Sequence, residues 1–322
     1  MRLGKGRVIM TVDEFLSLEK PEEYDFTEDW GNSLNQKQKE SLREYRTLEP
    51  WNKYFEYVRN DAIKDPDTNS MLLQEIYKNL WKDDEILGCC RKSEKARISG
   101  ETMNSVNVTL NSLFADFIES PNDLRKFREG RQRVSKKYIS GLYFDNFKEK
   151  QDKFKSYFKE YEHIEKYLST YHTLGNFIPV PVGCNAPRGK SVVKDYWDLT
   201  LACIYNFYAE KENRKDRIYK MVNGFEMEYS IGMMFSGDEP FEKNIKLYMK
   251  YLNLFKTWSG FVEQNYLTNN FVNGVSGRPK ELWEGHFSGK ILPETEEQYN
   301  NFFKNATTYI NARTGVMSTN IK

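Results

Sequence analysis

Apolar residues recur at helical spacing along most of this chain, and that period constrains the fold more than any other feature. Trp51, Tyr54, Phe55 and Val58 share one helical face, and Leu72, Ile76, Leu80 and Trp81 form a second stripe. Met103, Val106, Leu110, Leu113, Phe114 and Phe117 form a third, which predicts a helix starting near Gly100 or Glu101 and stopped by Pro121. Phe147, Phe154, Phe158, Tyr161, Ile164, Leu168 and Tyr171 extend the pattern through a long amphipathic segment. Further helices are expected over 196–208, over 241–258 with Phe241, Ile245, Tyr248, Leu252 and Phe255 on one face, and over about 295–311 with Tyr299, Phe302, Phe303, Ala306 and Ile310 inward. Hairpin signals are nearly absent. The expected fold is mainly α: a compact helical domain with few short strands over 91–322, preceded by a helical and irregular N-terminal region over 1–90.

Composition narrows the function classes. The chain has 322 residues, 48 Lys and Arg against 47 Asp and Glu, and a formal charge of +1. Such a balance excludes a generally basic nucleic-acid coat and an acidic tail protein. Aromatics make up 15% of the residues, which argues for packed cores and against disorder. No apolar run approaches the ~18 residues of a membrane span, and the first residues lack a signal-peptide core. Cys89, Cys90, Cys184 and Cys203 form no Cys-x-x-Cys pair, so the expectation is four reduced thiols in a cytoplasmic protein.

The near-zero total hides local charge. Residues 19–29 are acidic and read as irregular, solvated surface. Arg125, Lys126, Arg128, Arg131, Arg133, Lys136 and Lys137 form a basic run able to meet phosphate, although such runs are more often hydrated connections. A Pro/Gly-rich loop over 175–194 concentrates polar residues between helices, and its centre, 177–182, is expected to be extended because residues preceding proline avoid the helical region.

Several polar groups could carry chemistry. His286 and Glu284, in Trp283-Glu284-Gly285-His286-Phe287, could form an acid/base pair between flanking aromatics. Glu101 and Asn104 open the expected third helix, where free N–H groups attract anions. Asn176, Asn185, Arg188 and Lys190 are the binding candidates of the loop, Arg188 having the planar fork that suits phosphate. Asp195 and Asp198, three residues apart, could share a divalent metal or complement the positive end of the next helix. His172 returns to the apolar face of its helix and reads as a core histidine. Walker A, Gly-x-Gly-x-x-Gly, His-Glu-x-x-His and Gly-x-Ser-x-Gly motifs do not occur.

Glu162-His163, Asn176 and Cys184-Asn185 have spacings similar to the HNH endonuclease motif, in which a His acts as general base beside a divalent metal. Helical phase opposes that likeness. His163 lies nine residues after Phe154, about 180° from the apolar face, and Asn185 stands where that motif has a final His.

The segments Gly100 to Ser105 (GETMNS), Thr173 to Pro181 (TLGNFIPVP), Asp195 to Leu201 (DYWDLTL), Pro279 to Gly289 (PKELWEGHFSG), and FFKNAT with Asn311-Ala312-Arg313 together resemble a family of uncharacterised bacterial proteins. The resemblance covers roughly residues 95–315. It implies a bacterial, intracellular origin and assigns no activity or cofactor. Two functions are therefore expected as rivals. One is an enzyme or binding protein for a phosphate-containing target, nucleic acid or nucleotide, nuclease-like if catalytic. The other is a non-catalytic interaction or regulatory factor, for instance in phage conflict, with an aromatic partner surface. The polar loops near 101, 176–198 and 284–286 are expected to converge.

Overall fold

The computed structural model describes residues 10–29, 36–59, 63, 65–104, 109, 161–184, 196–209, 241–288 and 293–321. Among these residues lie eleven α-helices and one two-stranded sheet, so the fold is mainly α. The helices are α1 (Val12–Leu16), α2 (Gln36–Arg46), α3 (Pro50–Arg59), α4 (Pro66–Asn69), α5 (Met71–Leu80), α6 (Asp84–Cys89), α7 (Tyr161–Thr170), α8 (Trp197–Ala209), α9 (Phe241–Leu254), α10 (Trp258–Gln264) and α11 (Glu296–Asn320). None is long and apolar enough to cross a membrane.

The 25-residue α11 is the spine. Thr295 and Gln298 form a reciprocal capping box that satisfies its first amides. Tyr299, Phe302, Phe303, Ala306 and Ile310 face inward as the period predicts, and the same face continues through Arg313, Thr314 and Met317. Helix α7 packs along α11, with Tyr167 centred 5.4 Å from Phe302 and 5.5 Å from Phe303. Helix α8 is buried almost all round, which explains why it shows little amphipathic contrast.

Two local expectations are corrected. Residues Gly100–Thr102 are a strand, β1, and do not begin a helix. It pairs antiparallel with β2 (Phe177–Pro179), placing Glu101 opposite Ile178. The extended segment ending at Pro179 offers its edge, and Met103 N–H donates to Asn176 O just beyond the pairing, so tertiary hydrogen bonds decide the conformation at 100–103; Val106, Leu110, Leu113, Phe114 and Phe117 of that stripe lie outside the described residues. Gly100 permits the close approach: a Cβ there would lie 2.3 Å from Asp67 O. The expected helix over 241–258 also ends early. Lys256 adopts φ 64°, and Thr257 then caps α10 by accepting the Gly260 N–H.

Residues on both sides of position 90 share one core. Phe26 N–H donates to His172 O, the Phe26 ring meets Phe177 edge-on at 5.7 Å, and Trp81 Nε1 donates to Asn265 Oδ1. The acidic stretch before them is not merely solvated. Lys53 pairs with Asp25 and Glu28, Arg46 pairs with Glu28, and Asp29 accepts from Ser70 Oγ and Leu72 N–H at the start of α5.

Candidate functional site

Asp198 sits in the first turn of α8, where its Oδ1 accepts the Leu199 N–H at 2.8 Å. Its Oδ2 accepts the Leu282 N–H at 2.9 Å and faces His286 Nδ1 at 2.5 Å. Both side chains are buried, at 1% and 0% exposure. A carboxylate oxygen that already accepts a backbone N–H is best matched by a ring nitrogen that donates, which puts the hydrogen of the contact on Nδ1.

The loop bearing His286 is held from several sides. Glu281 Oε1 accepts the Phe287 N–H at 2.7 Å, and its Oε2 accepts the Gly285 N–H at 3.3 Å. Gly285 adopts φ 82°, a conformation that only glycine takes at little cost, which lets the chain double back over Glu281. From α11, Asn305 Nδ2 donates to Leu282 O. Trp283 stacks on the His286 ring, centroids 3.6 Å apart, and Tyr196 meets that ring edge-on at 5.0 Å. Aromatic walls lower the local dielectric and strengthen the carboxylate–imidazole attraction.

A second polar group adjoins this pair. Asn104 Oδ1 accepts the N–H of Trp197, the residue before Asp198. Asn176 holds Asn104 in turn: its Oδ1 accepts the Asn104 N–H and its Nδ2 donates to Asn104 O. Arg313, wholly buried, brackets Asn176 by donating from Nη1 to Gly175 O at 2.8 Å and Phe177 O at 2.9 Å. Its Nε donates to Asn265 O, and Nη1 also approaches Met103 Sδ. Burial lowers the Arg313 pKa to about 9, the neighbouring Tyr77, Tyr266 and Tyr251 opposing that shift, so the group remains a cation at neutral pH.

The structure thus places the hydrogen-bonded pair His286–Asp198 next to the hydrogen-bonded pair Asn104–Asn176, the two being joined through the backbone of Trp197. The expected partner of His286 is replaced: Asp198 holds the imidazole, and Glu284 is exposed. Glu101 is buried in β1, not at a helix start. Among the described residues no cluster of three or more His, Cys, Asp or Glu could hold a metal. Asn185, Arg188, Lys190, Asp195 and the basic run over 125–137 lie outside the described residues. His163 lies within α7, not on a strand, a placement unlike the HNH unit. His172 is buried, its ring between Tyr57 and Tyr171 at 4.4 Å and 4.3 Å. All four cysteines are buried free thiols, and burial pushes Cys90 well above its ordinary range.

Sequence reasoning passed over the roles of Glu281 and Arg313. The signal for Arg313 was present, because it continues the apolar stripe three residues after Ile310, where a charge is costly. Glu281 carries no such signal, since its role depends on the loop folding back. No protein-family model, no curated protein and no solved structure matches the chain.

Proposed function

We propose that this protein binds or acts on a phosphate-containing target, a nucleic acid or nucleotide, with Asp198 and His286 as its proton-transfer pair. The observation that carries the reading is the 2.5 Å contact between two buried ionisable side chains. A carboxylate on Nδ1 fixes the tautomer and stabilises the imidazolium, which suits a group that takes a proton from a nucleophile and returns it to a leaving oxygen. The phosphate part of the proposal rests on sequence. Arg188 and Lys190 precede α8, and the run over 125–137 adds further cations. Asp198 is assigned to His286 and not to a metal, because its two oxygens already accept three hydrogen bonds.

The test is turnover of single- and double-stranded DNA and RNA and of nucleoside phosphates, with and without a divalent cation. His286→Gln and Asp198→Asn should each reduce the rate by about 10²-fold or more, the usual weight of a general acid–base group. Full activity in His286→Gln, or no turnover of any such substrate by the wild type, refutes the catalytic reading.

The complete burial of the pair favours a second reading, a non-catalytic interaction factor in which Asp198 and His286 clamp the 281–288 loop onto α8. On that reading His286→Gln lowers thermal stability and leaves the wild type without turnover to lose.

A further inference from the structure

All but one of the hydrogen-bonding groups of Asn104 are committed. Its N–H donates to Asn176 Oδ1 at 2.9 Å, and its carbonyl accepts from Tyr167 OH at 2.8 Å and Asn176 Nδ2 at 3.2 Å. Its Oδ1 accepts the Trp197 N–H at 3.2 Å. Its Nδ2, in a wholly buried residue, has no hydrogen-bond partner among the described residues. A buried polar group left this way costs about 1–3 kcal/mol. Exchanging the amide oxygen and nitrogen would not relieve the cost, since Nδ2 would then face the Trp197 N–H, donor against donor. The surrounding frame therefore holds a donor open beside the Asp198–His286 pair.

Two further open groups nearby are of the same kind. Trp283 Nε1, on the ring stacked over His286, and Arg313 Nη2, on the guanidinium that brackets Asn176, also lack partners among the described residues. The Asp198 carboxylate has both oxygens engaged and offers none to Asn104 Nδ2.

We propose that Asn104 Nδ2 is a ligand contact, donating to an oxygen of a phosphate group bound beside the Asp198–His286 pair. The proposal rests on the reading of that pair as the functional site, and it supplies an acceptor-seeking group independent of Arg188 and Lys190. Asn176 and Arg313 are positioning residues, which fix the backbone on which the Asn104 amide is aimed. Asn104 has no exposed surface, so the ligand oxygen arrives only when a covering side chain moves, and association is slower than a diffusional encounter.

The test uses inorganic phosphate and the full chain labelled with ¹⁵N-asparagine. The Asn104 side-chain resonances are assigned by their loss in Asn104→Ala. Phosphate titrated against chloride at constant ionic strength should shift that NH₂ pair saturably. Asn104→Asp keeps an oxygen on the Trp197 N–H and replaces the open amide by a carboxylate, so phosphate binding should weaken at least tenfold. A wild-type titration that leaves the Asn104 pair unmoved, or moves it equally with chloride, overturns the proposal without any variant. So does unchanged phosphate affinity in a folded Asn104→Asp. The two readings separate cleanly. A saturable phosphate shift in a protein without His286-dependent turnover sinks the catalytic reading and leaves the contact standing. Turnover that needs His286, with no phosphate shift at Asn104, sinks the contact alone.

Discussion

Gly175→Ala tests whether the turn before β2 is seated directly on α11. A Cβ at position 175 would lie 2.0 Å from Ile310 O, 2.5 Å from Thr314 Oγ1 and 2.8 Å from Thr314 N. Ordinary contact begins near 3.4 Å, so the turn must retreat from the helix by roughly 1.4 Å. That retreat breaks two bonds now at 2.8 Å, from Gly175 N–H to Thr314 Oγ1 and from Arg313 Nη1 to Gly175 O. The first is a neutral pair, about 0.5–1.5 kcal/mol, and the second has a charged donor, about 1.5–3 kcal/mol. The expected destabilisation is therefore about 2–4.5 kcal/mol, a large share of the roughly 5–15 kcal/mol that holds a typical domain folded. Urea unfolding measures it as a fall in midpoint at unchanged slope. Gly315→Ala is the internal control. It lies in the same helix with nothing within 4 Å of a new Cβ, so helix propensity alone should raise stability by about 0.5–1 kcal/mol. A Gly175→Ala protein within about 0.5 kcal/mol of the wild type would refute the seating of the turn, and with it the route by which Arg313 braces Asn176.

Arg313→Lys keeps the cation and loses the fork, so one ammonium cannot serve Asn265 O together with Gly175 O and Phe177 O; a loss of about 1.5–3 kcal/mol is expected by chemical denaturation. Glu281→Ala removes the acceptor of the Gly285 and Phe287 amides, and should speed hydrogen exchange at both while costing about 2 kcal/mol. Thr295→Ala breaks the capping box of α11 and should cost about 1 kcal/mol in thermal unfolding. Alkaline pH should destabilise the fold steeply. Burial raises the pKa of Tyr24, Tyr45, Tyr57, Tyr77 and Tyr251, so these stay protonated in the native state while the unfolded chain ionises them near pH 10. Their contribution is intact below that pH and is lost above it, by about 1.4 kcal/mol per pH unit for each such tyrosine. Arg313 acts oppositely: its lowered pKa makes the cost of burying the cation complete below about pH 9, and relieves it as pH rises beyond that. Stability that stays level between pH 9.5 and 11 would contradict the burial of these hydroxyls.

The helical content was legible because its cause is local. Leu72, Ile76 and Leu80 in α5, and Tyr299, Phe302, Phe303, Ala306 and Ile310 in α11, are buried at the positions their spacing assigns. What escaped was decided by distant partners. Gly100–Thr102 carries no strand period of its own, and becomes a strand because residues 177–179 arrive beside it. The break between α9 and α10 rests on Lys256 at φ 64°, a conformation that no residue type there announces.

The candidate site divides along the same line. Residue types were legible: His286, Asp198, Asn104 and Asn176 each stood out as polar groups in apolar or loop surroundings. Their pairing was not. Glu284 lies nearest His286 in sequence, yet a residue two positions away on a turn that reverses at Gly285 faces outward, while Asp198 arrives from 88 residues earlier. The burial of the imidazole settles which carboxylate it takes. A carboxylate loses most of its hydration when sealed against Trp283 and Tyr196, and only one that already accepts backbone N–H groups is compensated there. Asp198 has that compensation from Leu199 and Leu282, whereas Glu284 keeps its water. The same reasoning explains Asn104. A neutral amide held by Asn176 can stand with one donor open at a cost of about 1–3 kcal/mol, small enough for the fold to bear.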